Sequence, residues 1–180
     1  MFTTDNRSTQ HEFTSRTYAL KVFAGRDALD ALKDELTRNG ASRALVLCGR
    51  SVHERSTLTQ RIATLLGDVL VGVFPGISEG APSQSIEAAA QMALELRADA
   101  LIAIGAGSVI KGARVVAMLM GEKRPLLEMA TRHVDGRAPV TQKLLAPKVP
   151  IFNVLTSQHR HKTEAGRQCA TTAMFITWNF

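Results

Sequence analysis

Residues 98–114, ADALIAIGAGSVIKGAR, decide how the rest of this 180-residue chain reads. Positions 99–104 are an almost unbroken apolar run, the pattern of a strand buried on both faces. Gly105, Ala106 and Gly107 turn the chain, and Ser108 opens a helix expected to run to Met120 and stop at Gly121. A strand that passes through glycines straight into a helix exposes unpaired backbone N–H groups at the positive end of the helix dipole. Small residues there let a diphosphate come close to the main chain, and Ser108 adds a hydroxyl at the capping position. The same residues also suit a plain strand-to-helix turn in which glycine supplies a positive φ. The pattern alone leaves both readings open.

Working outward, strands and helices alternate. Residues 18–23 alternate well enough for a short strand, and Gly25 breaks the chain. Leu29, Leu32 and Leu36 give residues 26–39 helical spacing, with Gly40 as the stop. A buried strand is expected at 43–48, followed by a turn at Gly49, Arg50 and Ser51. Leu58, Ile62, Leu65 and Leu66 mark the next helix, and 69–74 the next strand. A helix over 83–98 follows, capped by Ser83 or Ser85. After a looser stretch, 149–155 is a further strand, and 171–180 has room for one more. This order predicts an α/β fold: a Rossmann-like, doubly wound parallel sheet of five or six strands in a single domain over 18–180. Residues 1–17 are polar and without period, as in a flexible arm.

Composition narrows the function. No apolar stretch reaches the roughly 18 residues of a membrane span. The N-terminus lacks the apolar core of a secretory signal, so a cytoplasmic address is expected. The net charge of +6 invites a nucleic-acid partner. The basic residues are dispersed, however, and aromatics make up only 5%, which argues against base stacking. A positive domain equally suits an anionic dinucleotide. Cys48 and Cys169 form no CxxC or CxxH pattern and read as reduced thiols. His159 and His161 read as a surface pair, and no metal site is expected.

The glycine turn, taken with its flanks, resembles the GGGSxxDxAK signature of the iron-containing (group III) alcohol dehydrogenase family. Gly105, Ala106, Gly107 and Ser108 stand at its pyrophosphate-binding GGGS, and Ala113 and Arg114 at its Ala-Lys. Residues 74–82 resemble the loop before the family's next helix, and 147–156 its strand leading to a threonine-rich cofactor loop. The resemblance implies a nicotinamide cofactor, NADP or NAD, with Gly49, Arg50 and Ser51 by the adenosine ribose. It places Thr156 and Ser157 beside the cofactor's other half.

Three departures stand out. Lys111 replaces the signature's Asp and reads either as a phosphate-facing lysine or as a solvated side chain. No acid occupies 49–51, and a missing carboxylate there favours NADP. After Thr156 the chain is bulky and charged where the family is glycine-rich. The resemblance further implies a helical domain holding Fe2+ or Zn2+ and hydride transfer with a small alcohol or aldehyde. Such a domain has no room before Phe180, so a truncated dehydrogenase is expected, with a stand-alone nucleotide-binding or interaction module as the alternative. Apolar surface left uncovered by a missing domain predicts self-association, as in a homo-oligomer, or poor solubility.

Overall fold

The computed structural model describes residues 20–25, 27–133, 135–156 and 173–177. The expected arm at 1–17, Ser157, the His159/His161 pair and Cys169 lie outside them.

The strands are β1 (Leu20–Ala24), β2 (Ala44–Cys48), β3 (Leu70–Phe74), β4 (Ala100–Gly105), β5 (Ile151–Leu155) and β6 (Ala173–Thr177). The helices are α1 (Ala31–Arg38), α2 (Arg50–Arg55), α3 (Leu58–Leu66), α4 (Ser83–Glu95), α5 (Gly107–Glu122) and α6 (Leu126–Met129). All six strands join one sheet in the order β1-β6-β5-β4-β2-β3. The four strands β3, β2, β4 and β5 run parallel. The sheet departs from all-parallel at one side, where β6 lies antiparallel between β5 and β1. Apolar runs report burial and not direction, so the sequence could not distinguish these pairings.

Strand pleating sorts the core into two layers. On one face Val46, Ile102 and Phe152 pack with Leu32 and Leu36 of α1 and Ile62 and Leu66 of α3. On the other, Leu45, Leu47, Leu101 and Ala103 pack with Ile86 and Ala93 of α4 and with Val109, Ala113 and Val116 of α5. Every residue of the central strands β2 and β4 is buried, as the unbroken apolar runs require. The thiol of Cys48, at the end of β2, is pushed by burial up to about 11, which keeps it protonated and unreactive at neutral pH.

Helix ends follow both expected and unexpected devices. Gly40, at φ 68°, closes α1 as anticipated: its N–H bonds to the Thr37 carbonyl, and the Ala41 N–H to that of Leu36. The expected helix over 83–98 ends at Glu95 instead. There Arg97 takes the left-handed conformation usually left to glycine, with its N–H on the Leu94 carbonyl and that of Ala98 on Ala93. Neither serine caps α4; Pro82 holds the N-cap position, and the Ser85 hydroxyl donates to the Pro82 carbonyl. Gly121 is not a stop either. α5 runs on to Glu122, and Lys123 takes the left-handed turn. Gly121 is small for another reason: a Cβ there would lie 2.7 Å from the Pro147 carbonyl oxygen of the crossing loop.

The edge strand β1 is tied down by charge. Glu35 of α1 is buried and accepts from Lys21 of β1 and from Arg38. Burial alone would raise its pKa, but the two cations outweigh that, and its carboxyl titrates below the usual range. A lowered folded-state value means that the carboxylate's contribution to stability is complete above the unfolded value of about 4.3. It is lost as pH falls through the lower folded value. Chemical denaturation between pH 6 and pH 3 should therefore show a loss of stability that Glu35→Gln reduces.

Candidate functional site

Four parallel strands aim their carboxyl ends at one edge of the sheet, where ligands of open α/β sheets gather. A cleft of about 410 Å3 lies there. Its floor is the β4–α5 junction, formed by Gly105, Ala106, Gly107, Ser108 and Val109. Gly49, Ser51 and Val52 wall it from the end of β2 and the start of α2, and Ile77, Ser78 and Glu79 from the loop after β3. Thr156 stands at the end of β5, and Lys111 rises from the first turns of α5.

The junction is built for close approach. Gly105 has φ 157°, and a Cβ on it would sit 2.7 Å from a Val109 methyl, so the strand can enter α5 this tightly only through glycine. At Gly107, in contrast, a Cβ would meet nothing within 4 Å. The space over the first residue of α5 is open. The Ile110 N–H is the first in α5 to bond backward, to the Ala106 carbonyl at 3.1 Å. The amides of Gly107, Ser108 and Val109 precede it and have no acceptor within the helix.

Neighbouring segments are hydrogen-bonded to this junction. Thr156 donates its N–H to the Gly105 carbonyl at 3.2 Å, fixing the end of β5 beside the turn. The Gly80 N–H donates to the Ser108 hydroxyl oxygen at 3.2 Å. Because that oxygen is accepting, the hydroxyl proton is left for another acceptor. On the far side the Ile77 N–H donates to the Cys48 carbonyl at 3.1 Å, holding the loop after β3 against the end of β2.

Eight residues singled out in the sequence therefore share one cleft: Gly49, Ser51, Gly105, Ala106, Gly107, Ser108, Lys111 and Thr156. Arg50 does not line it. The expected turn at 49–51 is instead the start of the short helix α2, with Gly49 as its N-cap and Arg50 exposed. Ser157 lies beyond the described residues. The sequence reading did not single out Val52, Ile77, Ser78, Glu79 or Val109. Ser78 and Glu79 stand in the loop that resembles the family's, but nothing in their own residue types marked them as site residues, and the sheet order brings them to the cleft. Among the described residues no three His, Cys, Asp or Glu side chains come together as metal ligands would. No described helix is long and apolar enough to cross a membrane.

The chain is 35% identical over 111 residues to maleylacetate reductase 2 of Cupriavidus pinatubonensis, a match covering 62% of this chain and 30% of that protein. It spans about a third of the length of the curated relatives it matches. Two solved structures show the same fold. One is NADH-dependent butanol dehydrogenase A of Thermotoga maritima, with TM-score 0.60 and 18% identity, over 73% of this chain and 31% of that one. The other is sulfoacetaldehyde reductase of Bifidobacterium kashiwanohense in complex with NAD+, with TM-score 0.57 and 16% identity, over 71% and 31%. The model of the iron-containing alcohol dehydrogenases matches residues 19–158, the whole sheet-and-cleft region up to β5, and the chain belongs to that family.

Proposed function

We propose that this chain is the NAD(P)-holding part of an oxidoreductase, and that the cleft at the β4–α5 junction grips the cofactor's diphosphate. The observation that carries this is the open approach to Gly107, with three unpaired amides at the N-terminus of a 16-residue helix. Diphosphate oxygens would accept from the amides of Gly107, Ser108 and Val109 and from the Ser108 hydroxyl. Lys111, exposed on the cleft wall, adds a cation; a lysine so near the positive end of α5 is best accommodated with an anion beside it. Gly49 and Ser51 face the adenosine ribose, and Thr156 the nicotinamide half, with Ser157 following it in sequence.

When bound, the nicotinamide ring supplies the hydride donor or acceptor. The residues of this chain bind and orient it. In a complete enzyme the hydride would pass to or from a small alcohol or aldehyde. The family's Fe2+ or Zn2+ finds no ligand set among the described residues. The chemistry proposed for this chain is therefore confined to holding the cofactor.

Titrating the chain with NADH and NADPH, following nicotinamide fluorescence, tests the reading. At least one should bind saturably at one site per chain, and duplex DNA should not compete. Failure of both nucleotides to bind would remove the proposal.

A further inference from the structure

The geometry points to Glu79 as the residue that selects the cofactor's adenosine ribose, favouring a free 2′-hydroxyl over a 2′-phosphate. This inference rests on the dinucleotide reading above and reverses the preference for NADP drawn from residues 49–51 alone.

The sheet order carries the first step. β3 lies outside β2, on the side of β4 away from β5. With the diphosphate over the β4–α5 junction and the nicotinamide toward Thr156 at β5, the adenosine half extends over the ends of β2 and β3. The loop after β3 is held there at both ends, by the Ile77 N–H on the Cys48 carbonyl and by the Gly80 N–H on the Ser108 hydroxyl. Glu79 stands between these two anchors and lines the cleft together with Gly49 and Ser51.

The second step explains why the acid comes from this loop. A Cβ at Gly49 would lie 3.2 Å from the Ile77 carbonyl oxygen, tighter than ordinary contact and against backbone. The space beside Gly49, just past the end of β2, is thus crowded by the loop, and the loop brings a carboxylate of its own. No ion pair neutralises Glu79 among the described residues. A carboxylate accepts hydrogen bonds from the ribose hydroxyls and repels a phosphate at the 2′ position. Arg50, the cation that would answer such a phosphate, is not among the residues lining the cleft. Lys111 belongs to the α5 side, where the diphosphate lies.

The test measures NADH and NADPH dissociation constants for the chain and for Glu79→Gln and Glu79→Arg. Glu79 is exposed in a loop, so both variants should keep the wild-type far-UV circular dichroism and melting temperature. The unsubstituted chain should bind NADH at least about tenfold tighter than NADPH, the ratio worth one charged hydrogen bond. Glu79→Gln should bring the two within about threefold, and Glu79→Arg should favour NADPH. If both nucleotides bind but NADPH binds as tightly as NADH, or Glu79→Gln leaves the ratio unchanged, the selection role is overturned and the dinucleotide site stands. If neither binds, both fall together.

Discussion

Gly107→Asp should weaken nicotinamide-cofactor binding by about a hundredfold or more and leave the fold intact. A Cβ at this position meets nothing within 4 Å, and its φ is not positive, so aspartate enters without displacing a neighbour. Position 107 is also the first residue of α5, where a negative side chain favours the helix by about 0.3–1 kcal/mol. The variant should therefore melt at the wild-type temperature or slightly above. Its carboxylate, however, occupies the opening that the diphosphate needs and competes for the same amides. Two like charges about 4 Å apart repel by about 4 kcal/mol at the effective dielectric of a partly exposed site. Since each 1.4 kcal/mol is about tenfold, screening can remove a good part of that and still leave the hundredfold loss. Gly107→Asn, similar in size and uncharged, should lose much less. Wild-type affinity in the aspartate variant would show that the diphosphate is not held at this turn.

The largest stability effect should come from Phe152→Ala. Phe152 is fully buried as the second residue of β5, paired with Ile102 of β4 on one side and Ile176 of β6 on the other. Its ring fills the layer between the sheet and α1 and α3, among Leu32, Leu36 and Ile62. Truncation removes the ring's transfer free energy and leaves a cavity in a close-packed layer, a combined cost of about 3–5 kcal/mol. In urea denaturation the midpoint should fall sharply while the slope stays the same, since the native and unfolded surfaces hardly change. Phe152→Leu, which keeps much of the volume, should cost less than half as much. A loss below about 1 kcal/mol for the alanine variant would mean that this layer is not packed as described.

The elements themselves were legible because burial writes itself into periodicity. The runs at 44–48 and 100–105 are apolar throughout because helices cover both faces of their strands. Leu32 and Leu36, or Ile62 and Leu66, recur at helical spacing because one side of each helix meets the sheet. The glycine turn was legible for the same reason: Gly105 cannot bear a side chain beside Val109, a contact four residues away along the chain. Where sequence reading missed, the cause was distant in sequence. Gly121 answers the backbone of Pro147, not the end of its own helix. Arg97 adopts the left-handed turn because the chain must reverse into β4, and nothing in its identity announces that. The short helix α2 begins at Arg50, which is not among the cleft-lining residues although its neighbours Gly49 and Ser51 are.

The amino-acid order by itself thus left the short helices α2 and α6 unread but determined the six strand segments, the helices α1, α3, α4 and α5, and that a helix N-terminus opens where β4 ends. Those follow from interactions within a few residues and from the period of burial. The tertiary structure alone decided that β6 inserts antiparallel between β5 and β1, and that the loop after β3 closes over the end of β2. Strand neighbours are set by contacts between residues far apart in the chain, which leave no local period. That is why Glu79, an ordinary loop acid in the sequence, lines the same cleft as the glycine turn.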